Sequence, residues 1–249
     1  MLRAVIFDMD ETLLDWSKRE GTWVEITQTH LRPVHAYLTA AGHKVPALGE
    51  LAELYSDHSR KAWESIVPPE WNCPRQEDIF RATFHAIQLE TAQIDFGEVQ
   101  KRFGWGPIPG VRAFDDVDEI LRILRAAKIK MGLVTNAAMP MWMRDAELKE
   151  LGILHYLDVR LTAGDVGKFK PHPHPFQVAL ERLKVSPTEA VFVGDRVEDD
   201  VVGAHAAGMR AVWLRRGASA AEGLFKSNAT ISALTELPVI LDGWYPGWR

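Results

Sequence analysis

With 249 residues, 47% hydrophobic and 25% charged, the chain has an ordinary globular composition and the length for one large or two smaller domains, which excludes extended disorder. Its single cysteine, Cys73, excludes an internal disulfide, and a net charge of -5 without any block of Lys or Arg argues against nucleic acid as a partner. No apolar run nears the roughly 18 residues of a spanning helix, and the acidic start MLRAVIFDMDE does not resemble a leader, so no membrane contact and a cytoplasmic location are expected.

The first predicted element is a strand, Ala4 to Phe7, whose apolar run stops at Asp8. From about Trp16 to Gly106 helical periodicity takes over, with Trp23, Ile26, His30, Val34 and Leu38 on one face. Pro68, Pro69 and the segment WNCPR divide these helices into two pairs, and the turn-rich GWGPIPG, Gly104 to Gly110, closes the insert. The expected organisation is a core of residues 1–15 and 106–249 interrupted by an α-helical domain, 16–105, with both linkers at one edge.

Beyond the insert, Phe114, Val117, Ile120, Leu121 and Leu124 predict an amphipathic helix with an acidic first turn. Strands follow at Lys130 to Thr135, Ala190 to Gly194 and Arg210 to Leu214, separated by helices around Phe176 to Leu183 and Val201 to Ala207. Gly208 reads as the stop of the last helix and Gly203 as a close packing point. Continuous apolarity implies strands covered on both faces, so the fold class is α/β, a doubly wound parallel sheet. The C-terminal LDGWYPGWR is expected either to fold back on the core or to form an oligomer contact.

Asp8 and Asp10 lie just beyond a strand, at the sheet edge where open α/β folds bind ligands. Two carboxylates so close repel unless a cation or proton is shared. A second acidic group, Asp195, Glu198, Asp199 and Asp200, follows another strand and falls on the same edge. Hard oxygen donors suit Mg²⁺ better than Zn²⁺. Helix capping alone explains Asp199 or Asp200, but not a carboxylate at a buried strand end. His172 and His174 sit in a stiff PHPHP turn and are read as structural, and no P-loop pattern occurs.

In order, FDMDETLLD, LVTN at Leu133 to Asn136, KPHPHPF at Lys170 to Phe176 and VGDRVEDD at Val193 to Asp200 resemble the four motifs of the haloacid dehalogenase-like superfamily. The resemblance implies that Asp8 is a nucleophile forming an aspartyl-phosphate and that Asp10 protonates the leaving alkoxide and then activates water. It implies that Thr135 binds a phosphoryl oxygen and Lys170 neutralises Asp8 and the transferring group. It places Mg²⁺ on Asp8, Asp195 and the backbone carbonyl of Asp10, with amide donors at Met9 and Asp10 and with Asn136 beside the substrate. Thr12 braces the loop, Asp200 or its neighbour Asp199 holds Lys170 or a metal-bound water, and Lys168 is left in solvent. Relatives that cleave carbon–halogen bonds or phosphonates depart at the position of Asp10, so the resemblance favours phosphate esters. Arg196 and His172 stand where relatives often carry serine and aspartate.

The insert falls where one class of the superfamily carries a helical cap that closes over the site and sets specificity. Trp16, Lys18 and Arg19 are the nearest candidate substrate contacts, WNCPR a candidate substrate-facing loop, and Trp23 and Trp63 read as packing. The expected protein is a monomeric or homodimeric phosphatase of a small phosphorylated metabolite. A phosphotransferase such as a sugar phosphomutase would need the same residues, and a non-catalytic binding module would not need a paired acid and nucleophile.

Overall fold

The computed structural model describes residues 1–216 and 226–249. Its strands are β1 (Ala4–Phe7), β2 (Leu14–Asp15), β3 (Arg112–Ala113), β4 (Lys130–Thr135), β5 (Val159–Thr162), β6 (Ala190–Gly194), β7 (Arg210–Leu214) and β8 (Ala229–Ile231). Six form one parallel sheet in the order β5-β4-β1-β6-β7-β8, while β2 and β3 pair as an antiparallel ribbon. Four strands coincide with the apolar runs read from the sequence; β5, β8 and the ribbon were not predicted.

The insert folds into α1 (Trp23–Ala40), α2 (Leu48–Glu64), α3 (Gln76–Ala86) and α4 (Phe96–Phe103), two pairs on either side of Pro68 and Pro69. Thr22 starts α1 with a capping box: its hydroxyl accepts the Glu25 amide at 3.2 Å. Leu31, Val34, Leu38, Leu51, Phe80, Phe84 and Val99 form the helices' own core, which Ala138, Met143 and Ala163 join from the sheet side. The two linkers run together: the Glu20 amide donates to the Pro109 carbonyl at 2.8 Å, and a Cβ on Gly110 would lie 1.8 Å from the Lys18 carbonyl oxygen.

Around the sheet lie α5 (Val117–Ala126), α6 (Met141–Glu150), α7 (Ala163–Val166), α8 (His174–Leu183), α9 (Val202–Ala206) and α10 (Leu237–Trp244). Alternation in β1 sends Val5 and Phe7 into the core shared with α5 and α10, and Ala4 and Ile6 into the core shared with α8 and α9. Phe114 stands outside the helix predicted for it, under the Arg216 guanidinium at 3.9 Å. A π-turn, Val197–Val201, leads into α9, and Gly208 after it has φ +81°. Gly203 packs as expected, since a Cβ there would meet Phe176 at 2.4 Å.

Three further readings are settled by contacts. The WNCPR segment does not face the cleft: the Trp71 carbonyl accepts the Phe169 amide at 2.7 Å, and the Cys73 amide donates to the Gly167 carbonyl at 3.1 Å. Lys168, expected in solvent, clasps that segment through the Glu70 carbonyl at 2.7 Å and Asn72 Oδ1 at 2.9 Å. The C-terminal aromatics fold back: Tyr245 and Trp248 are buried in the core, and the Tyr245 hydroxyl donates to the Thr188 carbonyl at 3.2 Å. No helix among the described residues is long and apolar enough to cross a membrane.

Candidate active site

Parallel strands put their carboxyl ends on one edge, so Asp8 after β1, Thr135 at the end of β4 and Asp195 after β6 converge. The Asp8 amide still donates to the Val193 carbonyl at 2.9 Å, which fixes the carboxylate at the strand end. Lys170 is almost wholly buried and reaches Asp8 Oδ1 at 2.5 Å and Asp200 Oδ1 at 2.7 Å. Asn136, expected to touch substrate, uses both ends of its amide on the Lys170 backbone, at 3.2 and 2.9 Å. It lines the cleft, but its contacts position Lys170.

Of the two neighbouring acids, Asp200 holds Lys170, and its Oδ2 accepts the Arg196 amide at 3.0 Å; Asp199 pairs with Arg196 at 2.7 Å. Thr12 donates to Asp195 Oδ1 at 3.3 Å, and the Asp195 carbonyl accepts the Trp213 indole at 2.9 Å. Asp200 approaches so closely that a Cβ on Gly194 would sit 2.2 Å from its Oδ2. Gly194→Ala is therefore expected to displace Asp200 and with it Lys170, lowering the melting temperature by several degrees, about 1–3 kcal/mol by the usual cost of overpacking. An unchanged melting curve in a thermal scan would contradict that packing.

Asp8, Asp195 and Asp200 each bring a carboxylate oxygen within 4.8 Å of the others, the one such cluster among the described residues. Burial pushes the Asp8 carboxyl well up, Lys170 opposes it, and the charges of Asp200, Asp195 and Asp10 add to the rise. Burial, then Asp200, pushes Asp195 up to about 6. Burial would lower Lys170, but Asp200 and Asp8 outweigh it and raise it. Such a buried all-oxygen set, under-neutralised by one ammonium, fits a hard divalent cation. The carboxylate of Asp10 lies outside this cluster, and that of Asp200, read from the sequence as a second-line residue, lies within it.

The Asp10 carboxylate is held by a residue that sequence reasoning missed. Arg144 on α6 is 4% exposed and grips Asp10 with both terminal nitrogens, Nη2 to Oδ1 at 2.7 Å and Nη1 to Oδ2 at 3.2 Å. Its Nε donates to Glu147, one turn further along the helix. Trp16 Nε1 donates to Asp10 Oδ1 at 2.8 Å, and the Thr135 hydroxyl approaches Oδ2 at 3.5 Å. Burial raises the Asp10 carboxyl, but Arg144, Trp16 and Lys170 overcome burial and hold it below the ordinary carboxylate range. Burial raises Glu147 despite Arg144, and its Oε1 has no partner among the described residues.

A cleft of about 700 Å³ opens from this edge toward the insert. Asp10, Asn136, Arg144, Trp16 and Arg19 line it, together with residues of α1 to α4. Lys18 does not line it; its side chain is exposed. Met9 buries its side chain in the core, leaving only its backbone for the site. Trp23 and Trp63, read from the sequence as packing, are 54% and 38% exposed and form walls of the cleft. The indoles of Trp16 and Trp23 lie 5.7 Å apart, with the Arg19 guanidinium 4.3 Å over Trp23.

A carboxylate–lysine centre at the carboxyl edge of a doubly wound sheet, with a cleft toward the helical insert, is the arrangement of an α/β hydrolase. The chain belongs to the haloacid dehalogenase-like hydrolase family, whose model matches residues 2–208. It is 31% identical over 222 residues to a glyceraldehyde 3-phosphate phosphatase of Methanopyrus kandleri, covering 87% of this chain and 85% of that one. A phosphoglycolate phosphatase of Salmonella typhi is 29% identical over 252 residues, 98% of this chain and 90% of the other. Among solved structures, a 2-haloacid dehalogenase from Pseudomonas syringae pv. Tomato superimposes with a TM-score of 0.65 at 31% identity, covering 98% and 100% of the two chains.

Proposed function

We propose that the protein is a phosphatase hydrolysing a small-molecule phosphate monoester through an aspartyl-phosphate on Asp8. The observation that carries this reading is the placement of Asp10: a carboxylate two residues from the nucleophile that lines the cleft, while Arg144 and Trp16 favour its ionised form, the state that accepts a proton from water. A departing halide needs no proton, whereas a departing alkoxide does. In the first step an Asp8 oxygen bonds to phosphorus, the ester P–O bond breaks, and the alkoxide takes a proton from Asp10. In the second, the Asp10 carboxylate takes a proton from water, whose oxygen bonds to phosphorus while the bond to Asp8 breaks, releasing phosphate. Lys170 balances charge on Asp8 throughout, and Thr135 is the donor for a phosphoryl oxygen. Met9 and Asp10 amides complete that cradle in this reading. Residues 16–105 act as the cap over the core of 1–15 and 106–249.

Asp8 and Asp195, with the carbonyl of Asp10 and the neighbouring Asp200 carboxylate, are the residues that would hold Mg²⁺. Bound there, the ion would neutralise the buried carboxylates and polarise the phosphoryl group. Because Asp195 ionises only as pH rises through about 6, protons compete with the cation. Calorimetry is expected to show Mg²⁺ binding at pH 7.5 that weakens by up to about tenfold per unit below pH 6. Asp195→Asn is expected to abolish the stabilisation by Mg²⁺ and, by removing a desolvated charge, to raise the cation-free melting temperature by a few degrees. Mg²⁺ affinity that ignores pH between 5 and 7.5 would rule out this site.

Release of phosphate from simple monoesters with Mg²⁺ tests the reading as a whole. Transfer of the phosphoryl group to a second hydroxyl without release would replace it with a phosphotransferase. Release of halide from a 2-haloacid, with no phosphate released from any ester, would replace it with a dehalogenase.

A further inference from the structure

The walls of the cleft bear on what the leaving group is. Trp16, Trp23, Tyr55, Trp63 and Trp105 line it; Trp23 packs on Trp16 and Arg19 and Trp63 meets Phe169 edge-on at 5.0 Å, yet the two remain 54% and 38% exposed. A cleft of about 700 Å³ is far larger than a two- or three-carbon phosphate requires; cavities of roughly 300–1,000 Å³ accommodate ring-sized ligands. Aromatic walls favour flat partners through offset or edge-on ring contacts.

Charge points the same way. Two of the three cations on the cleft are paired with carboxylates, Arg144 with Asp10 and Glu147 and Arg60 with Asp57 and Glu64, while Arg19 lies over the Trp23 ring. A carboxylate on the leaving group would compete with an existing ion pair at Arg144 and Arg60, which leaves Arg19 as its one partner without a carboxylate.

A polar observation adds to these. Gln76 lines the cleft and is 2% exposed; its Nε2 donates to the Tyr55 hydroxyl at 3.4 Å, but its Oε1 has no partner among the described residues. An unpaired buried acceptor is destabilising, a cost removed by a ligand that supplies an N–H.

We infer that the leaving group is a flat, uncharged heteroaromatic body carrying an N–H donor, seated between the indole walls with its donor on Gln76 Oε1. This rests on the phosphatase reading and names the substrate class for that site.

The test pairs hydrolysis with binding. Phosphate release with Mg²⁺ is compared for flavin mononucleotide and uridine 5′-monophosphate against phosphoglycolate and phosphoserine, in the wild type, Trp63→Ala and Gln76→Leu. At least one heteroaromatic ester is expected to exceed both carboxylate esters about tenfold in kcat/KM, and each substitution to shrink that gap through KM, not kcat. A preference for phosphoglycolate or phosphoserine, or a gap that both substitutions leave intact, overturns the inference. Calorimetry with the same compounds on the Asp8→Asn variant separates the two claims. Tighter binding of the heteroaromatic compounds without hydrolysis by the wild type would remove the phosphatase reading and keep the cleft assignment; equal or weaker binding would overturn the assignment.

Discussion

Asp8→Asn is expected to lower kcat for phosphate release by about 10⁴-fold or more, the scale seen when a catalytic nucleophile is removed, while the protein stays folded. Asparagine keeps an oxygen for the Lys170 ammonium, which lies 2.5 Å from Asp8 Oδ1, but it has no free carboxylate with which to attack phosphorus. The same change has a signed effect on stability. Burial, only partly opposed by Lys170, raises the Asp8 carboxyl in the folded state above its unfolded value. An acid shifted upward binds more protons folded than unfolded between the two values, so the cation-free protein loses stability as pH rises from the ordinary carboxylate range toward the raised value. Asp8→Asn removes that contribution. Thermal scans across this range without divalent cation are expected to show a flatter pH dependence in the variant. A variant that keeps a tenth of wild-type activity would mean that Asp8 is not the nucleophile.

Arg144→Met is expected to cost about 3–5 kcal/mol of stability, the usual penalty for leaving one member of a buried ion pair alone. Glu147 is 1% exposed and depends on Arg144 for its hydrogen bond. A loss of that size lowers the melting temperature by about 10 °C for a chain of this length. The double variant Arg144→Met/Glu147→Gln is expected to recover most of the loss, because the stranded charge goes with its partner. The kinetic consequence concerns Asp10. Arg144 is the strongest influence opposing burial there, so without it the Asp10 carboxyl rises. Arg144 holds Asp10 ionised in the free enzyme, so its service as the acid of the first step requires a proton taken up against that hold. The basic limb of the kcat/KM profile is therefore expected to move to higher pH in the double variant. A limb that stays in place would mean that Asp10 does not donate that proton.

Legibility in the sequence followed the range of the interactions involved. β1, β4, β6 and β7 were readable to the residue because burial on both faces demands unbroken apolar runs. β5 was missed because VRLT carries Arg160, whose charge is answered by Asp145 on α6 at 2.7 Å, and β8 because its three residues at the sheet edge are only partly covered. Asp8, Lys170 and Asp195 were legible because each lies within a recognisable motif. Arg144 was not: it sits 134 residues from Asp10, and within MWMRDAELKE it reads as one more surface cation. The only local hint was Glu147 three positions on, a spacing that on most helices marks an exposed pair. Trp23 and Trp63 misled for the opposite reason, since helical periodicity shows which residues share a face but not whether that face meets protein or a cleft.

The central claim is that Asp8 carries the phosphoryl group between a monoester and water. It is tested most directly by rapidly quenching the Mg²⁺-loaded enzyme during turnover of a monoester that it hydrolyses, and then mapping the bound phosphoryl group by peptide mass spectrometry. The expected result is an acid-stable, hydroxylamine-sensitive phosphoryl group on the peptide containing Asp8, absent from Asp8→Asn. Steady phosphate release from the wild type with no such adduct, and equal release from Asp8→Asn, would contradict the account.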